Sequence, residues 1–397
     1  MSGLQTIEDA LARILERARL LPTETVEVAA AAGRVLREPA LSRVDLPPFA
    51  SSAMDGFAVR ATDTPGSLPI AFRVAAGDAA PGGLPSGAAA GIATGAAVPE
   101  GADAVVPVEH VIDRGDQVEV PEGVRSGQHV RPRGDDVHEG DVVADAGTRL
   151  GAAQIGALAA VGVAEILCSV RPRVAVLATG SELRPAGEPL AHGQIYESNR
   201  AMIGAALRPT GAQVELLPVV ADDEGAHRAA LELGLEADVL VTSGGVSMGP
   251  HDLVRRIAAD LGVEEVFWRV AVKPGKPLSF GTRGETLVFG LPGNPVSALV
   301  GSLLFVRPAL LKRQGVERVG LDYAYGRTAV ALRRNPERDE FVRVRRSAQE
   351  DGVVLEPVSG QESHMIVRAA SADALVHVPR GEGEISADAI VRYLSLA

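Results

Sequence analysis

Between positions 173 and 311 the sequence repeats one arrangement: a short aliphatic run, a polar loop with Gly or Pro, then a stretch of helical character. The runs fall at 174–178, 214–220, 239–242 and 287–291, and the helical stretches around 198–207, 224–234, 250–261 and 295–311. Each run is apolar at nearly every position rather than at alternate ones. That pattern belongs to strands covered on both faces, which parallel sheets with helical crossovers provide. A parallel, doubly wound α/β domain is therefore predicted over 173–315.

Texture changes on either side of it. A helix is expected over 6–20, with Ile7, Leu11, Ile14, Leu15 and Ala18 near 3.6 spacing, Thr6 as cap and Pro22 as stop. An Ala-rich stretch over 151–167 is expected to form a second helix that returns to pack beside the first. This gives a helical linker domain over 1–45 and 147–172. The intervening 46–146 carries short Val-rich runs at 70–75, 104–108, 117–120 and 141–144 between Gly and Pro clusters, which reads as an inserted β-rich domain. Runs at 328–332, 340–345, 353–357 and 374–378 predict a small C-terminal β domain over 316–397.

A net charge of −12 speaks against a nucleic-acid surface, which needs a basic face. The single cysteine, Cys168, excludes an internal disulfide framework and a multi-cysteine zinc site. The longest apolar run, 296–311, is broken by Arg307 and Pro308, so no membrane span is read. A cytoplasmic enzyme is the expectation.

In an open parallel sheet, ligands bind outside the carboxyl ends of the strands, where helix-start N–H groups attract anions. Three loops fall there: Thr179-Gly180-Ser181-Glu182, then Ser243-Gly244-Gly245-Val246-Ser247, and Pro292-Gly293-Asn294-Pro295-Val296-Ser297, with Asn294 as N-cap. Any one could be an ordinary tight turn; three on one sheet edge predict a binding edge. Only Lys273, Lys276 and Lys312 are lysines, in a chain with 39 basic residues. Two of them sit in Lys273-Pro274-Gly275-Lys276-Pro277. A compact ammonium suits a compact oxyanion better than a guanidinium fork does. At about 4 Å, one such charge contributes on the order of 4 kcal/mol before desolvation. Carboxylates supply the complement: Asp55 in Ser51-Ser52-Ala53-Met54-Asp55-Gly56, Asp136 in Arg131-Pro132-Arg133-Gly134-Asp135-Asp136, and Asp222 and Asp252 on the α/β edge. Carboxylates beside a polyphosphate can hold Mg²⁺. Asp223 and Asp135 read better as an N-cap and a turn residue.

Together these segments, with Leu46-Pro47-Pro48-Phe49, the stretch from Thr94 to Val106, and Gly290-Leu291 leading into the third loop, resemble the molybdopterin molybdenumtransferases, known as MoeA in bacteria and the gephyrin E-domain in animals. The likeness covers nearly the whole chain. It implies a homodimer of four-domain subunits and a Mg²⁺- and molybdate-dependent hydrolysis of adenylyl-molybdopterin that yields molybdenum cofactor and AMP. It implies that Asp55 and Asp136 are essential carboxylates of one subunit, facing Asp222 and Asp252 of the other. It also implies that Lys273, Lys276, Pro277, Ser297 and Arg338 surround the oxyanion, that Asp252 and Asp222 hold the metal, and that a molybdopterin adenylyltransferase is the functional partner. Ser51 stands where many members carry Asn, and Phe57 where Tyr is frequent.

Overall fold

The computed structural model describes residues 4–245 and 253–396, so Ser247 and Asp252 lie outside the described residues. The α/β domain is built from α1 (Ile7–Arg17), β1 (Arg173–Ala178), α2 (Asn199–Leu207), β2 (Gln213–Leu216), α3 (Glu224–Gly234), β3 (Val239–Ser243), α4 (Leu253–Asp260), β4 (Glu264–Trp268), β5 (Ser279–Arg283), β6 (Thr286–Leu291), α5 (Pro295–Gly301) and α6 (Arg307–Gln314). Its six strands lie in the order β2–β1–β3–β6–β5–β4. The first four are parallel, while β5 and β4 add two antiparallel strands that the helix–strand alternation did not announce.

Strand periodicity sorts the core into two layers. Val174, Val176, Val239, Val241, Leu287 and Phe289 face one side, with α1, α2, α5 and α6. Ala175, Leu177, Leu240 and Val288 face the other, with Leu231 of α3 and Val254 and Ile257 of α4. The helical stretch Pro295–Gln314 has the length and hydropathy of a membrane span. Its residues Val296, Leu304, Phe305, Val306, Ala309 and Leu310 are instead buried in the first of these layers. A π turn at Ser302–Val306 joins α5 to α6, ahead of Pro308, which lacks a backbone donor.

Several expectations need correction. α1 does not pack beside the second helix: Ile7, Ala10, Ile14 and Ala18 lie in the α/β core, and Gln5 ahead of it pairs with Val270. The helix expected over 151–167 stops at Ala160, because Gly162 takes a left-handed φ of +78°. The chain after it forms the strand Glu165–Ser169, antiparallel to Thr23–Glu27. The strand expected at 141–144 leaves the inserted domain, since Val142–Ala144 pairs with Ala40–Leu41. The run at 214–220 is cut after Leu216, where Leu217 leads into Pro218. The expected 328–332 strand is two pieces: Tyr323–Thr328 and Leu332–Arg333, parted by a turn in which Thr328 Oγ1 donates to Val330 O at 2.8 Å.

The inserted domain holds a six-stranded sheet in the order 104–107, 56–59, 89–92, 66–74, 117–120, 112–113. In the C-terminal domain the strands Asp339–Gln349, Gly352–Pro357, Tyr323–Thr328, Ile390–Ser395 and Ala374–Val378 close on one another as a barrel. The short strand Val272–Lys273 of the lysine loop joins this barrel, parallel to Asp339–Glu340. The loop is thus anchored by the C-terminal domain.

Candidate functional site

A cleft of about 720 Å³ opens at the carboxyl ends of β1, β3 and β6. Thr179, Gly180 and Glu182 line it from the first loop, Ser243, Gly244 and Gly245 from the second, and Pro292, Gly293, Asn294 and Pro295 from the third. Asp222 and Pro277 border it as well. The loops are tied to one another. Thr179 N–H donates to Ser243 O at 3.2 Å, and Gly244 N–H to Leu291 O at 3.2 Å. Gly244 has φ +94°, and a Cβ there would stand 2.8 Å from Thr179 O, so the close approach requires glycine.

Asp222 and Ser181 clasp each other across the first loop. Asp222 N–H donates to Ser181 Oγ at 2.8 Å, and Ser181 N–H donates to Asp222 Oδ2 at 3.1 Å. Asp223 is the N-cap of α3, its Oδ1 accepting from Ala226 N–H at 2.8 Å. Asn294 occupies the N-cap position of α5 without capping it. Its Nδ2 donates instead to Ser363 Oγ at 2.8 Å, and Val296 N–H donates to Ser363 O at 3.1 Å. A loop of the C-terminal domain reaches that edge, and His364 lines the cleft.

Asn199 was missed by sequence reasoning. From the first turn of α2 its Nδ2 donates to both Ser243 Oγ (2.8 Å) and Gly293 O (2.7 Å), bracing two loops at once. An Asn at a helix start ordinarily reads as a cap, and the partner lies 94 positions away, so only the folded chain reveals the brace. Tyr196 and Glu197 also line the cleft and carried no signal.

The lysine loop borders this cleft through Pro277, while Lys273, Pro274, Gly275, Lys276, Ser297 and Arg338 are not among its lining residues. Gly275 lies against Ser297 O, packing the loop on the start of α5. Lys273 Nζ pairs with Glu340 Oε1 at 3.0 Å, the lysine side chain 43% and the glutamate side chain 16% exposed. Such a half-exposed pair adds roughly 1 kcal/mol or less to stability, so its consequence is orientation. Lys276 has no side-chain partner among the described residues. Arg338 sits one residue before the barrel strand that pairs with the loop.

Asp55 and Asp136 stand apart, in the inserted domain. Ser51–Ser52 pairs with Val130–Arg131, which brings the Asp55 turn and the Arg131–Asp136 segment onto one ribbon. Asp55 Oδ1 accepts from Thr94 N–H at 2.8 Å, leaving the exposed carboxylate aimed and half-satisfied. A Cβ on Gly56 would clash with Val106 O, so the turn needs glycine there. Asp55 lines its own cleft of about 420 Å³ with Arg73 and Asp113. Asp136 is exposed, its N–H donating to Leu46 O at 2.9 Å. Within one chain the two acidic residues line no part of the α/β cleft.

Comparison with known proteins covers almost the whole length. Residues 5–162 match the MoeA N-terminal region (domain I and II), 175–312 a probable molybdopterin binding domain, and 325–396 the MoeA C-terminal region (domain IV). The chain is 34% identical over 390 residues to a molybdopterin molybdenumtransferase of Haemophilus influenzae, covering 96% of each. It is 37% identical over 401 residues to molybdopterin molybdenumtransferase 2 of Mycobacterium tuberculosis, covering 97% of this chain and 98% of the relative. The solved molybdopterin biosynthesis MoeA protein of Pyrococcus horikoshii superposes with a TM-score of 0.84 at 28% identity, over 99% of this chain and all of the other.

Proposed function

The chain belongs to the molybdopterin molybdenumtransferases, transferases of molybdenum cofactor assembly, and on that premise we propose that it inserts molybdate into the dithiolene of adenylyl-molybdopterin while hydrolysing the adenylyl linkage. The observation that supports this best is the joining of two features at Pro277: a cleft floored by three strand-to-helix loops, and a loop holding two of the three lysines.

The pyrophosphate of the substrate lies over the loops after β3 and β6, where backbone N–H groups and the start of α5 favour anions. Lys273 and Lys276 hold molybdate near the dithiolene, with Arg338 and Ser297 completing the pocket, so that proximity replaces a high bulk concentration. Asp55 or Asp136, delivered by the second subunit of a homodimer, orients the attacking water or accepts its proton. Water adds to phosphorus as the phosphoanhydride bond to AMP breaks, and the two sulfurs, giving up their thiol protons, replace two molybdate oxygens that leave as water with two further protons from solvent.

Among the described residues no group of three or more His, Cys, Asp or Glu could hold a metal. That fits Mg²⁺, which is commonly held by one or two carboxylates plus substrate phosphates rather than by a protein cage. The exposed Asp222 in the cleft would supply one carboxylate, with Asp252 as the second. When bound, the ion neutralises phosphate charge and eases departure of AMP. A molybdopterin adenylyltransferase is the partner that would supply the substrate.

The test is direct. Purified protein incubated with adenylyl-molybdopterin, Mg²⁺ and molybdate should release AMP and form cofactor in step. AMP release without cofactor, or neither product, would overturn the proposal.

A further inference from the structure

Behind the lysine loop lies a buried polar chain that the proposed chemistry does not use. Tyr323 Oη is 2.9 Å from His377 Nδ1, and His377 Nε2 is 3.0 Å from Asp339 Oδ1. Asp339 Oδ1 also accepts from Arg380 N–H at 3.2 Å. His377 is 1% exposed and stacks against the rings of Tyr323 and Phe341, with centroids at 5.6 and 4.8 Å. A carboxylate only accepts, so Nε2 carries the proton and Nδ1 receives the tyrosine hydroxyl. Burial pushes His377 below its ordinary value and Tyr323 up to about 12, which keeps both neutral and this order of donors fixed.

Asp339 is the pivot. Its backbone N–H donates to Ala271 O at 2.9 Å, and it aligns with Val272 in the parallel pairing that continues as Glu340 beside Lys273. At the start of this strand Asp339 is buried, while Arg338 just before it and Glu340 just after it are half-buried. Asp339 is thus held by His377, and the next residue, Glu340, aligns with Lys273 of the lysine loop. Glu340 then holds the Lys273 ammonium at 3.0 Å.

We propose that His377 is a positioning residue for the oxyanion site: by fixing Asp339 it sets the strand end that carries Glu340 and Arg338, and through Glu340 it aims Lys273. This rests on the insertase reading for its consequence in catalysis, but not for its effect on Lys273. The alternative is a hydrogen-bonded core that stabilises the barrel and nothing more.

The small number of lysines makes the test clean. Reductive ¹³C-methylation labels Lys273, Lys276, Lys312 and the amino terminus, with each signal assigned by a Lys→Arg variant. His377→Phe keeps a stacked ring and removes the donor to Asp339; His377→Gln restores a donor; Tyr323→Phe removes only the hydroxyl. The expected result is a shifted Lys273 signal in His377→Phe, with Lys312 unchanged, and a return toward wild type in His377→Gln. In turnover, the KM for molybdate should rise about tenfold in His377→Phe while the KM for the pterin stays within about twofold, since one mispositioned charge contact is worth on the order of 1.4 kcal/mol. Tyr323→Phe should shift the Lys273 signal in the same direction and less, and it stands in if His377→Phe does not fold. An unmoved Lys273 signal in the folded variants, or an equal rise in both KM values, overturns the proposal. A shifted signal in a protein that forms no cofactor would sink the insertase reading instead and leave the positioning intact.

Discussion

The loop after β3 and the turn at Asp55 both depend on a glycine that tolerates no side chain, yet they are held in opposite ways. The first is enclosed: Gly244 abuts Thr179, Asn199 braces Ser243 to Gly293, and all of them line one cleft. The second projects from the inserted domain, with one carboxylate oxygen on Thr94 N–H and the carboxylate exposed in a different cleft. On the proposed reading, the binding half of the chemistry is assembled within one chain, whereas the acid–base half is presented outward as a unit. A division of this kind predicts that damage to the two halves separates cleanly in kinetics.

The comparison breaks most sharply at Asp55. Asp55→Asn keeps the bond to Thr94 and removes the charge, so turnover should fall by about 10²–10⁴-fold, the range for a lost general base. Binding of adenylyl-molybdopterin by calorimetry should stay near wild type; a matching loss of binding would place Asp55 in the binding half. Next comes Lys276→Ala, where losing a charge-assisted contact of about 1.5–3 kcal/mol should raise the KM for molybdate roughly ten- to a hundredfold. An unchanged KM would remove the lysine loop from the oxyanion site. Asn199→Ala removes a brace rather than a contact to charge. About 1 kcal/mol, or roughly fivefold weaker pterin binding with unaltered molybdate KM, is expected. The smallest effect is on stability. His377 has a lowered folded pKa, mainly from burial and partly offset by Asp339, so the unfolded chain takes up its proton first as pH falls. This stabilisation is present above the unfolded value near 6.5 and is lost as pH drops from there through the folded value. Thermal melts from pH 7.5 to 5 should show a steeper loss for wild type than for His377→Gln; parallel curves would contradict the assignment.

What the sequence disclosed follows the range of the interactions involved. The strands β1, β3 and β6, the cap at Asp223 and the described residues of the three edge loops are set by local pattern, and each lies where periodicity and turn residues put it. The lysine loop was legible because lysine is so rare in this chain. What escaped depends on contacts between distant segments. α1 carries the pattern of any amphipathic helix, and nothing in that pattern says that it joins the α/β core against residues 302–314 rather than packing on the next helix. The pairing of Lys273 with Glu340, the reach of His364 into the cleft and the bond from Asn294 to Ser363 all require the C-terminal barrel to be docked first. Asn294 shows the limit plainly: its position at the helix start was readable, but its side chain answers to a residue 69 positions away.

The central claim is that the exposed acid turn of one subunit works on substrate held by the other's cleft. Mixing Asp55→Asn protein with Lys276→Ala protein under conditions of subunit exchange, at a molybdate concentration below the wild-type KM where each variant alone is nearly silent, tests it. Random exchange makes half the dimers mixed, each with one intact composite site, so recovery of about a quarter of wild-type cofactor formation is expected. No recovery, with exchange verified by mass, would contradict the account.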